Sequence, residues 1–402
     1  MKYILLTNQY LPKPGATGVC VHAIAKTLAK QGEDVYTICY GQGNEENEVI
    51  DGVKIVRVNE PAFMTEYTGS SKFKALTLRL SSLGAKLINY KRYPQRSGTL
   101  IKRYYKAIEN VTSDEEVTII ATFTPLEAVA ALGRYKINHP RIKAIYYSTD
   151  TLSNEQGENG FLSAENRRQK GVAWENKLFE IYDGILIMEC HKDFYVNSFR
   201  KQLTQKMRIA NFPLLMEPSR DSIRTDSKTI VYAGTLYKMM RNPSFACSCL
   251  LEYLKFEDSY KVVFLGGGDC GGILSDAVSK SSRFSYLGLQ PHKIAKEMIE
   301  NASVLLSIGN SESQMAPSKI YEYMATGKPI IHFYTYENDP CLEPLRQYGN
   351  ALIIKENDPN AIERIKDFLL TAKCLSFELV SRCFEKSTPE YTISLIRQIN
   401  VE

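Results

Sequence analysis

The chain has 402 residues, room for about two to three domains. It is 44% hydrophobic and 24% charged, which excludes a disordered or collagen-like chain, and no apolar run approaches the roughly 18 residues that span a bilayer. The net charge of +5 is too small to name a nucleic-acid partner, and nine cysteines, scattered singly apart from Cys247 and Cys249, form no CxxC pair or disulfide framework.

In chain order, residues 3–7, 34–39, 54–58, 117–121, 142–147, 184–188 and 207–210 read as strands, near-continuously apolar as strands buried on both faces are. The first makes the N-terminus a buried strand rather than a signal peptide. Helical patterns lie between them, as at 19–30 and 125–135. This alternation predicts a parallel sheet with helices on both faces. At 211–221 Pro213 and Pro218 forbid a regular element, and polar residues follow, so this is the predicted linker. The pattern then restarts, with strands at 229–233, 261–265, 284–287, 304–308, 329–333 and 351–354 and a last helix at 389–399. The predicted domains are 1–210, 211–386 and a terminal helical segment, 387–402.

Residues 71–108 hold ten basic residues and no Asp or Glu: Lys72, Lys74, Arg79, Lys86, Lys91, Arg92, Arg96, Lys102, Arg103 and Lys106. Phe73, Leu76, Leu80, Leu83 and Leu87 recur among them at helical spacing. Two readings stand: a surface for anionic lipid or polyphosphate, or a solvated helix whose apolar stripe packs on its own domain. The five His form no metal spacing with one another or with a Cys, so no metal site is predicted. His22 is expected on the first helix, and Trp174 in the core.

Several loops at strand ends carry chemistry. Residues 9–18 run from the first strand to a helix, and Gly15 and Gly18 allow a close backbone approach to a ligand. Asp150 ends the strand at 142–147 as an acceptor-hydroxyl contact, a base or a turn residue. Gly234, Lys238 and Arg241 follow the strand at 229–233, and a guanidinium suits phosphate oxygens. Gly266, Gly268 and Gly271 spell G-x-G-x-x-G, but on the second strand of their domain and without the acidic residue that holds an adenosine ribose, so NAD binding is not expected. Most informative is the stretch 314–330, QMAPSKIYEYMATGKPI. It places Glu322 on the first turns of a helix just past a strand's carboxyl end, where a carboxylate grips sugar hydroxyls and the helix start suits phosphate.

That stretch resembles the donor-site signature of retaining glycosyltransferases of family 4, in its bacterial surface-polysaccharide form P-S-K-x-x-E-Y-M-A-x-G-K-P. The resemblance covers nearly the whole chain and is strongest over 304–333. It implies an α/β chain of the GT-B fold: two Rossmann-like, doubly wound domains facing across a cleft, with the final helix returning to the first. It implies that Glu322 holds the nucleotide ribose, with Gly15, Gly18, Gly234, Ser318 and Lys319 also at the donor, while Lys238 and Arg241 grip the diphosphate. Asp150 falls where relatives carry a His-Asp or Arg-Asp pair near the reacting centre; here Thr149 replaces the first member. The family's first Glu, which contacts the transferred sugar, is Gln314 here, and Glu312 lies two residues out of register.

The expected activity is therefore metal-independent transfer of a hexose from a nucleotide diphospho-sugar, with retention and without a cofactor. The expected acceptor is a glycan or polyprenyl-linked sugar in surface-polysaccharide synthesis, in the cytoplasm or on the inner leaflet of the membrane, with no nucleic-acid partner. A non-hydrolysing nucleotide-sugar epimerase and a catalytically degenerate nucleotide-sugar-binding subunit are the alternatives.

Overall fold

In a computed structural model, the structure describes residues 1–41, 48–59, 93–94, 96–112, 116–152, 162–218, 228–310 and 318–401. The chain divides into two compact units, Met1–Pro213 with Pro389–Glu402, and Leu214–Thr388.

The first unit is built on strands β1 (Lys2–Leu6), β2 (Asp34–Gly41), β3 (Glu48–Ile50), β4 (Val53–Asn59), β5 (Val117–Thr122), β6 (Lys143–Ser148), β7 (Gly184–Ile187) and β8 (Met207–Ile209). They lie in the order β3-β4-β2-β1-β5-β6-β7-β8, parallel except for β3 against β4. Burial on both faces explains their apolar runs: Ile4 and Leu6 enter one core, Tyr3 and Leu5 the other. Helices Gly98–Val111, Leu126–Asn138 and Ala164–Ile181 cover the first core. Helix Ala16–Lys30 and the terminal helix Pro389–Val401 cover the second. The terminal helix buries Ile393, Ile396 and Ile399, and Arg397 Nη2 donates to Glu33 Oε1 at 2.9 Å. β3 is an addition to the predicted strands. It is joined to β4 by Asp51 and Gly52, both at positive φ (50° and 80°), a two-residue hairpin turn.

The second unit holds β9 (Thr229–Ala233), β10 (Lys261–Leu265), β11 (Phe284–Tyr286), β12 (Val304–Ile308), β13 (Ile330–Tyr334) and β14 (Ala351–Lys355). All are parallel, in the order β11-β10-β9-β12-β13-β14. Helices Ser244–Phe256, Gly271–Lys280 and Ala361–Thr371 pack on one face around Phe264, Leu250 and Ile365. Helix His292–Asn301 meets β9 on the other.

In each unit the strand order reverses at one place, between β1 and β5 and between β9 and β12. Open α/β sheets bind ligands at the carboxyl ends of such a pair.

The glycine run after β10 serves that end of the second sheet. A β-carbon on Gly266 (φ +133) would lie 1.8 Å from the Gly234 carbonyl oxygen, and one on Gly268 (φ +111) 1.9 Å from that of Leu236. These glycines let the loop after β9 pass over β10, a requirement unrelated to a dinucleotide. Gly266→Ala is expected to destabilise the chain by about 2 kcal/mol or more through backbone strain and overpacking. An unchanged urea midpoint would contradict this packing.

Candidate functional site

At the reversal point of the second unit two loops meet, Gly234 to Pro243 after β9 and the one beginning with Gly309 and Asn310 after β12. Arg241 joins them. Its Nε and Nη2 donate to Asn310 Oδ1 at 3.0 and 2.6 Å, and its Nη1 donates to the Thr235 carbonyl at 3.2 Å. Asn310 is buried, 5% exposed. Lys238 differs: its side chain is exposed, and its backbone N–H donates to Asp269 Oδ1 at 2.8 Å. Gly234 donates its N–H to the Leu265 carbonyl at 2.9 Å, the start of the crossing over β10.

Helix Lys319–Ala325 is fixed to the same strand end. The Tyr323 hydroxyl accepts from the Ala233 amide at 2.9 Å and donates to the Ala233 carbonyl at 3.2 Å. Burial pushes the Tyr323 phenol far above its ordinary range, so it stays protonated. The helix therefore presents its neighbouring residue, Glu322, from a fixed base. Glu322 is half-buried, and its Oε2 accepts from Lys319 Nζ at 2.8 Å. His292, at the start of helix His292–Asn301, lies in the field of both. Burial and then the Lys319 charge hold its imidazole below the ordinary value, with Glu322 opposing. Ser318 precedes the helix without a side-chain cap bond, and the helix has only seven residues. Gln314, Glu312 and Pro317 lie outside the described residues.

Beneath Asn310 sits a buried polar group. The side chains of His332, Asp339 and Cys341 lie with their ligand-type atoms within 4.8 Å of one another. No sequence spacing announced it. His332 bonds Ser307 Oγ through Nδ1 at 3.0 Å and Asp339 Oδ2 through Nε2 at 3.3 Å, and the Cys341 amide donates to Asp339 Oδ1 at 2.8 Å. Burial alone would raise the Asp339 carboxyl, but the His332 bond and charge and the Cys341 amide hold it below the usual range.

In the first unit the loop after β1 lies at the reversal point. Gly15 is the N-cap of helix Ala16–Lys30, whose start has no side-chain cap. Gly18 has a reason within the chain itself: a β-carbon there would sit 2.0 Å from the Gln9 carbonyl oxygen. Across the reversal, Thr124 Oγ1 bonds Thr17 Oγ1 at 3.3 Å. Asp150, two residues past β6, accepts from the Thr151 amide at 2.8 Å. Its carboxyl is raised by burial and lowered by that amide and by the charge of His191, which follows β7. His22 sits on the first helix, between the Tyr10 hydroxyl at 2.8 Å and Asp51 at 3.0 Å. Trp174 is half-buried against the first core with the Arg96 guanidinium over its ring.

Of the basic stretch 71–108, residues 71–92 and 95 lie outside the described residues, and with them the apolar positions Phe73, Leu76, Leu80, Leu83 and Leu87. Lys102, Arg103 and Lys106 lie on helix Gly98–Val111, whose apolar face (Leu100, Ile101, Tyr104, Ala107 and Ile108) is buried in its own domain.

Two Rossmann-like units with polar loops gathered at the carboxyl ends of their reversal-point strands are the components of a GT-B fold. No family model matches the chain, and no curated protein matches it either. Solved structures do. HepE of Anabaena, determined with UDP and glucose, is 14% identical with a TM-score of 0.60, covering 98% of both chains. A UDP-forming α,α-trehalose-phosphate synthase of Burkholderia xenovorans, in complex with glucose-6-phosphate, is 9% identical with a TM-score of 0.61, covering 99% of this chain and all of that one (100%). A TarM mutant of S. aureus, in complex with UDP and α-GlcNAc-glycerol, is 10% identical with a TM-score of 0.59, covering 100% of both. At these identities the likeness establishes the fold.

Proposed function

We propose that the chain is a retaining glycosyltransferase that moves a sugar from a nucleotide diphospho-sugar to a glycan or lipid-linked acceptor in surface-polysaccharide synthesis. The observation that carries the reading is the meeting of Arg241 with Asn310 at the reversal point of the second sheet, on the strand end that also anchors the Glu322 helix. A guanidinium held there faces the diphosphate, and a half-buried carboxylate one helix away takes the ribose hydroxyls. The departing diphosphate gains charge as the glycosidic bond breaks, and a fixed cation stabilises that charge most in the transition state. Lys238, on the same loop after β9, adds positive potential. These groups serve a leaving diphosphate without a metal. Similar folds were solved with UDP or described as UDP-forming, so uridine diphosphate sugars are the first donors to test.

In the retaining reading the acceptor attacks from the leaving-group face, and the phosphate takes the acceptor's proton. Asp150 then orients the acceptor hydroxyl rather than acting as an obligatory base. Incubating purified protein with UDP-, GDP- and ADP-sugars and glycan acceptors, followed by proton NMR of the anomeric signal, tests this. A product with the donor's anomeric configuration is expected. An epimerised sugar without transfer would make the chain an epimerase, and nucleotide-sugar binding without turnover a degenerate subunit.

The lipid-linked acceptor carries its own prediction. No helix among the described residues is long and apolar enough to cross a membrane. We place the chain in the cytoplasm, reaching a membrane acceptor through the basic stretch 72–106. Each basic residue near an anionic leaflet contributes about 1 kcal/mol, over about a Debye length. Sedimentation with phosphatidylserine vesicles should be strong at low salt and lost as salt rises. Replacing Lys72, Lys74, Arg79 and Lys86 with Gln should abolish it while sparing activity on a soluble acceptor analogue. No sedimentation at low salt would remove the membrane from the account.

A further inference from the structure

We propose that Asn310 is a positioning residue that sets the guanidinium of Arg241 for the donor diphosphate; this rests on the assignment of Arg241 above. An arginine on a loop has four rotatable bonds, and its charge is useful only if its plane is fixed. Asn310 fixes it. Nε and Nη2 converge on the single acceptor Oδ1 at 3.0 and 2.6 Å, which holds the guanidinium by its side edge and turns the Nη1–Nη2 edge away from Asn310. Because every arginine nitrogen here donates, the amide must present its oxygen. The Thr235 carbonyl takes Nη1 at 3.2 Å from the other loop, so the plane is set from both sides.

Asn310 is itself immobilised. It is 5% exposed and follows Gly309, whose amide donates to the Phe333 carbonyl at 2.8 Å. Gly309 packs directly on Asp339: a β-carbon there would lie 1.9 Å from Asp339 Oδ2. Asp339 is held in turn by His332 and the Cys341 amide, and His332 by Ser307 of β12. The buried cluster is thus the footing of the loop that carries Asn310.

The residue type matters as much as the place. A carboxylate at 310 would hold the same nitrogens more strongly but would neutralise the charge that the diphosphate needs. A neutral amide orients the cation and leaves its charge for the ligand.

The test compares binding of UDP and UMP by calorimetry, since a group that grips the diphosphate beyond the first phosphate appears as preference for UDP. If GDP or ADP proves to be the bound nucleotide, that diphosphate and its monophosphate are used; binding of none of the three overturns both this proposal and the donor site. Asn310→Ala is expected to cut the diphosphate preference about tenfold with monophosphate affinity changed less than twofold. In an Arg241→Ala background the same substitution should change the preference less than twofold. Asn310→Asp, which keeps size and acceptor atoms, should fold as the wild type and lose at least as much preference. An unchanged preference in Asn310→Ala or Asn310→Asp, an equal loss of monophosphate affinity, or an equal loss in the Arg241→Ala background would overturn the positioning role. A preference that survives Arg241→Ala itself would instead overturn the assignment of Arg241.

Discussion

Glu322→Ala should weaken nucleotide-sugar binding ten- to hundredfold while leaving the fold intact. Hydrogen bonds to a charged group contribute about 1.5–3 kcal/mol, and ribose hydroxyls would lose two such acceptor atoms. The same substitution removes the ion pair with Lys319, but that pair is 22% and 31% exposed. A partly solvated pair contributes only about 0–1 kcal/mol to stability. Binding should therefore fall much further than stability, and comparing calorimetric affinity with the urea midpoint separates the two. His292 gives an independent check on the geometry. Glu322 opposes the burial and the Lys319 charge that depress its imidazole, so Glu322→Ala should depress it further, visible in the ring-proton titration. Unchanged affinity would remove Glu322 from the site.

Arg241→Ala should cost roughly a hundred- to a thousandfold in turnover, the range for losing one preorganised group at a developing charge. Arg241→Lys should cost far less, because the charge survives although the two bonds to Asn310 and the planar fork do not. The loss should appear in kcat more than in KM, since charge on the diphosphate grows in the transition state. Equal turnover by Arg241→Ala and wild type would mean that the diphosphate lies elsewhere.

What could be read beforehand follows from what burial writes into a sequence. Strands β1, β5 and β9 were legible because parallel strands covered on both faces must be apolar along their whole length. β3 was missed: three residues, two of them exposed to solvent, carry no such run. Its signal lay in the turn, since Asp51-Gly52 is a pair that favours two positive φ values in succession. The glycines after β10 were legible as a tight place, but their partner, the crossing loop after β9, exists only in the folded sheet. Asn310 was invisible for the same reason. A single polar residue at a strand end has no spacing to betray it, and its partner Arg241 is 69 positions away. His332, Asp339 and Cys341 likewise sit at spacings that match no ligand motif, and only β12 and β13 side by side bring Ser307 under them.

Every role proposed for Arg241, Asn310 and Glu322 requires that the second unit recognise a nucleotide diphospho-sugar. A thermal-shift screen of the full chain against UDP-, GDP- and ADP-sugars, run in parallel on wild type and Glu322→Ala, tests this most directly. A ligand at about 100 times its dissociation constant stabilises by roughly 2.7 kcal/mol. The expected result is a clear upward shift of the wild type with sugars of one nucleotide and a much smaller shift of the variant. No shift of the wild type with any of the three, or equal shifts of wild type and variant, would contradict it.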